Sequence, residues 1–146
     1  MTIRAFLPVS AIESREHADT LLELAFLVTA ADGRLAAEEV TAFRELMGRV
    51  RGAPVSDGDV AELYAAFMKK LEGSTCADRV RALAPGLPAD LREVAFRVAM
   101  ALALIDRDAS PHEDALIDAL YDSLKLDNAR AEELAKEVRV ALSPPV

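Results

Sequence analysis

Leu24-Ala25-Phe26-Leu27-Val28-Thr29-Ala30-Ala31 runs into Asp32-Gly33-Arg34-Leu35-Ala36-Ala37-Glu38-Glu39. The passage recurs as Val98-Ala99-Met100-Ala101-Leu102-Ala103-Leu104-Ile105 followed by Asp106-Arg107-Asp108-Ala109-Ser110-Pro111-His112-Glu113. In both, an aspartate closes an apolar run and a glutamate follows seven residues later. The copies lie 74 positions apart and align without a gap between the two acids. Each glutamate opens a second amphipathic segment, with Phe43, Leu46, Met47 and Val50 in the first copy and Ile117, Leu120, Tyr121 and Leu124 in the second. This is an internal helix–acidic turn–helix repeat, and it sets the fold class.

Outward from the repeat, every segment reads as helix. Ser10 with Glu13 has capping-box spacing and Ser14 is a second start, so helix one runs from there to Ala31. Its face is Ala18, Leu21, Leu22, Ala25, Val28 and Thr29; Leu24 and Leu27 widen it, so the second half of the helix is buried most of the way round. Gly33 is placed to end it. Helix two spans about Ala36 to Val50 and stops at Arg51-Gly52-Ala53-Pro54. Ser56 caps a third helix with the stripe Val60, Leu63, Tyr64, Phe67, Met68 and Leu71, and Gly73 ends it. Ser74 or Thr75 starts a short fourth with Val80, Leu83 and Ala84 inward.

Pro88 opens helix five from a first-turn position, with Leu91, Val94, Ala95, Val98, Ala99, Leu102 and Ile105 on one face. Ser110, Pro111 and Glu113 start helix six, which runs to about Leu126. Asp127 or Asn128 caps helix seven, with Ala131, Leu134, Ala135, Val138 and Leu142 inward and Ser143-Pro144-Pro145 after it. The expectation is an all-α, compact seven-helix bundle with helices one and five at its centre. It is one domain over 1–146, with residues 1–9 as an N-terminal arm and 143–146 as a tail.

Composition narrows the function classes. A net charge of −8 over 146 residues, with basic pairs only at Arg49/Arg51 and Lys69/Lys70, argues against nucleic acid. A lone cysteine, Cys76, fits a reducing compartment. The N-terminus lacks the pattern of a secretion signal, and neither apolar run reaches spanning length, so no membrane insertion and a cytoplasmic location are expected.

The aspartates carry more information than the glutamates. Glu39 and Glu113 stand in the first turn of a helix, where the dipole welcomes a negative charge. Asp32 and Asp106 end helices, where a carboxylate is disfavoured by about 0.3–1 kcal/mol. Accepting N–H bonds within the turn would compensate; so would a bound cation, with Asp108 and Glu38 adding oxygens. Such hard donors suit Ca²⁺ or Mg²⁺, and His112 extends the choice to Zn²⁺ or Mn²⁺. An EF-hand is rejected, because its first and third loop positions would be Val28 and Ala30, or Leu102 and Leu104.

Catalytic signatures are wanting. Cys76 near a helix start could have a lowered pKa, but a small residue packed on a helix face is the preferred reading, since no partner in the sequence makes it a nucleophile. His17 and His112 are far apart and lack a nucleophile motif, and no Walker loop, dinucleotide glycine motif or H-E-x-x-H occurs. No enzyme is expected; metal-assisted hydrolysis would need a concave pocket beside the acids.

An apolar helix running into Ala-Asp-Gly-x-Leu-x-x-x-Glu at Ala31–Glu39, followed by Phe43, Leu46 and Met47, resembles the tellurite-resistance TerB-like family. The resemblance spans Ala18 to Leu142. It implies a compact helical domain of bacterial proteins, associated with tellurite and stress resistance and with metal binding through its acidic turns; a related domain occurs in membrane-linked co-chaperones. Carried over, Asp32 and Glu39 match the first acidic turn and Asp106 and Glu113 the second. The second departs from the pattern at Arg107, where glycine is expected, with Asp108 following. Two functions follow as expectations: a non-enzymatic stress-related protein holding a divalent cation at these residues, or a co-chaperone-like module that docks a protein partner while its acidic turns are structural.

Overall fold

The computed structural model of the chain describes residues 14–30, 37–105 and 111–142. Those residues form seven α-helices and no strand: α1 Arg15–Ala30, α2 Ala37–Arg51, α3 Asp57–Leu71, α4 Cys76–Leu83, α5 Ala89–Ile105, α6 Pro111–Leu124 and α7 Asn128–Leu142, with a 3₁₀ turn at Ala84–Gly86 between α4 and α5.

Local chemistry explains where the helices begin and end. Ser14 caps α1: its Oγ accepts from the N–H of His17 at 3.3 Å. The alternative box at Ser10 and Glu13 lies outside the described residues, as does Gly33. Ser56 and Asp59 form a reciprocal capping box at α3, each side chain accepting from the other's backbone N–H at 3.1 Å. Thr75 Oγ1 accepts from Asp78 N–H at the start of α4. Pro88 stands one residue before α5 rather than inside it, its carbonyl accepting from the N–H of Leu91 and Arg92. α6 stops two residues short of the expected Leu126, because Lys125 turns into the left-handed region with φ 55°.

Tertiary packing puts α1 and α5 at the centre, as their composition requires. Every residue from Leu21 to Val28 is buried, and so are Ala95, Phe96 and Val98 through Leu102. One continuous apolar core joins them to α2, α4, α6 and α7. α3 is attached by an aromatic cluster, Phe26–Tyr64, Phe26–Phe67 and Phe43–Tyr64, with ring centroids 5.3, 5.5 and 4.8 Å apart. Only one side of α3 is covered. Met68, placed on the inward stripe by its spacing, is 53% exposed, being turned about 100° from buried Phe67. Arg92 ties the α4–α5 connection together, donating to the carbonyls of Leu87 at 2.7 Å and Pro85 at 3.1 Å. α7 lies along α5 in the same direction, since Glu93 pairs with Arg130 and Arg97 with Glu137.

The repeat proves longer than a hairpin. α1 and α5 begin 74 residues apart, as do α2 and α6. α3 and α7, each 15 residues long, then continue the two halves at an offset of 71. Buried positions correspond: Leu21, Leu22 and Leu24 to Ala95, Phe96 and Val98; Leu46 and Val50 to Leu120 and Leu124; Val60 and Phe67 to Ala131 and Val138. α4 stands between the two three-helix halves and has no counterpart.

Candidate functional site

The helices frame both acidic turns alike. Glu39 is the third residue of α2 and Glu113 the third of α6, while Asp32 and Asp106 follow the ends of α1 and α5 by two residues and one. Both glutamates therefore sit on the first turn of a helix whose N–H groups point out of that end. Asp32, Asp106 and Asp108 lie outside the described residues, and of Glu39 and Glu113 the backbone alone is described. Among the described residues no group of three or more metal-ligating side chains occurs. The acid pairs thus rest on the helix frame and on their donor chemistry, which is all carboxylate oxygen and fits a hard cation.

The charged site that the described side chains do build lies elsewhere. Glu23, in the middle of α1, is 3% exposed. Its Oε2 accepts from Nε and Nη2 of Arg79 on α4, at 2.8 and 2.5 Å, and Lys70 Nζ on α3 stands 4.0 Å from Oε1. An open cleft of about 530 Å³ above the pair is bordered by Glu16, Asp19 and Thr20. Arg79 already engages the buried carboxylate from two of its three guanidinium nitrogens, so this arrangement joins α1 to α4 and is no cation cage. The sequence carried one signal for it: an acid at position 23, flanked by Leu22 and Leu24 in the half of the helix that is apolar on nearly every side, has to face inward.

Cys76 is the first residue of α4, the place where a dipole would lower its pKa. Burial instead pushes the thiol up, with a backbone hydrogen bond opposing it, and Cys76 packs against the apolar core, in keeping with a packed small residue rather than a reactive thiol. On the surface, Glu93 is held below the usual carboxylate range first by its hydrogen bond to Arg130. No described helix is long and apolar enough to cross a membrane.

The sequence model of the family described as Tellurite resistance protein TerB matches residues 18–136. The chain belongs to the TerB family. The match takes in both halves, from Ala18 on α1 to Lys136 on α7, and so includes both acidic turns. No curated protein and no solved structure matches the chain.

Proposed function

We propose that this TerB-family chain is a non-enzymatic, cytoplasmic bacterial protein of tellurite and stress resistance that holds a divalent cation at its two acidic turns. Asp32 and Glu39 would serve in the first turn, Asp106, Asp108 and Glu113 in the second. The observation that supports this reading most is the common frame: two helix pairs, 74 residues apart, each following an aspartate beyond the first helix with a glutamate third in the next. A carboxylate at a helix C-terminus is unfavourable on its own, and a cation shared with the glutamate would offset that twice over. The donor set favours Ca²⁺ or Mg²⁺, with Mn²⁺ or Zn²⁺ admitted if His112 takes part.

Calorimetric titration of the chelator-treated protein with each of the four cations tests it, beside the Asp32→Asn/Asp106→Asn variant. Micromolar binding by the wild type, lost in the variant, is the expected result, and the stoichiometry separates one shared site from two. The absence of binding heat, with a variant that is folded and more stable, would refute it. The second reading, a protein-interaction module whose acidic turns are structural, is favoured by a groove of about 660 Å³ between α6 and α7, floored by Phe96 and Met100.

A further inference from the structure

The two halves differ most where their third helices pack. On α3, Tyr64 lies against Phe26 and Phe43, and Arg44 of α2 bonds Asp57 of α3 at 2.7 Å, closing the space between those helices. The equivalent residues of the second half are Ala135 for Tyr64, Met100 for Phe26, Asp118 for Arg44 and Asn128 for Asp57. The ring is gone and the ion pair cannot form. With Ala131 and Ala135 on its inner face, α7 approaches α5 closely, and a groove of about 660 Å³ opens between α6 and α7. Its floor is the near-buried Phe96 and Met100, with half-buried Tyr121 on the α6 side.

The groove's α6 wall carries Asp118, and its α7 wall carries Glu132, Lys136 and Arg139 at successive turns. Asp118 on α6 and Lys136 on α7 both line it and both are exposed, yet among the described residues neither has an ion-pair partner. A gap that is apolar below, with charges spaced turn by turn along α7 and an acid opposite on α6, matches an inserted helix better than a compact ligand, because a helix presents its side chains at the same spacing.

We propose that the α6–α7 groove docks an amphipathic helix of a partner protein, seating an aromatic side chain over Met100 and Ala135 where Tyr64 fills the first half. The partner helix carries an acidic residue on the flank facing Lys136 and a basic one on the flank facing Asp118. This site is separate from the acidic turns and stands whether or not they bind a cation.

The chain has no tryptophan, so indole emission reports a probe peptide alone. The probe is an alanine-rich synthetic helix the length of α7 with a central tryptophan, glutamate on one flank and lysine on the other. Wild-type protein should shift its emission to the blue, saturably and in the micromolar range. Ala135→Tyr, which copies Tyr64, should weaken binding by about tenfold or more, the scale of one lost anchor. Lys136→Glu, at an exposed position that leaves the fold intact, should weaken it several-fold, and a probe with lysine on both flanks should recover the loss. The proposal is overturned by no saturable shift, or by binding that both variants leave unchanged. It is equally overturned if free N-acetyltryptophanamide binds as tightly as the helix, or if the wild type self-associates through the same residues.

Discussion

Removing Arg79 should destabilise the protein far more than removing its partner Glu23. The Glu23 side chain is 4% exposed and that of Arg79 24%. In Arg79→Met, which preserves the stem, the carboxylate stays buried with only Lys70 Nζ, 4.0 Å away and itself largely exposed. Breaking a buried pair by deleting one member costs about 3–5 kcal/mol. Lys70 and the open cleft above offset part of this, so the expected loss is about 3 kcal/mol. For a chain of 146 residues, at about 2.1 cal/mol/K per residue, that lowers Tm by about 10 °C. Glu23→Leu leaves a cation that can turn into the cleft, and should cost about 1–2 kcal/mol. The double variant Glu23→Leu/Arg79→Met should return to within about 1 kcal/mol of wild type, because an apolar pair replaces two desolvated charges. Urea unfolding followed by circular dichroism on the four proteins closes the cycle. A loss below about 1 kcal/mol for Arg79→Met, or a double variant no better than that single one, would refute the reasoning.

Three further outcomes are expected. Lys125→Gly, at φ 55°, should raise stability by about 0.5–1 kcal/mol in the same unfolding assay, since glycine removes the cost of the left-handed backbone after α6. Cys76, whose pKa burial raises, should react with iodoacetamide more slowly in the folded protein than in urea at pH 7.5, and its rate should climb as the pH approaches the raised value; a faster folded reaction would contradict the packing role. The carboxyl carbon of Glu93 should titrate by NMR below the ordinary glutamate range and return to it in Arg130→Ala. The depressed pKa makes its contribution to stability present above the unfolded value and lost as the pH falls through the folded one.

The helices were legible because each carries two independent signals, an apolar period and a chemically specific start. Ser56 with Asp59 and Thr75 with Asp78 are such starts, and both formed. Ends were less legible: α6 stops where Lys125 takes a left-handed turn, which no residue type there announces. The third helix of each half does not show as a repeat in the sequence, for a concrete reason. The connection before α7 is shorter than the one before α3, so the offset slips from 74 to 71 just where the comparison had to continue. The groove was hidden for the same reason, since it becomes visible only once Ala135 is set against Tyr64. The acid pairs were read from spacing alone, and their aspartates lie outside the described residues.

Glu23 has one further consequence, for uniqueness rather than stability. α1 is buried at every residue from Leu21 to Val28, so its apolar pattern does not say which side should face which neighbour. A charge that must reach Arg79 selects one rotation. The equivalent position on α5 also carries a charge, Arg97, which bonds Glu137 of α7 at 3.3 Å. Each central helix is thereby keyed to a different neighbour, α4 in one half and α7 in the other. Such polar keys exclude alternative packings in some proteins and are dispensable in others. The stability-neutral double variant Glu23→Leu/Arg79→Met separates the cases. If the ion pair keys the rotation, the methyl signals of Leu21, Leu24 and Leu27 should broaden or double while the urea midpoint holds. A single sharp set would show that the shape of the apolar core alone orients α1.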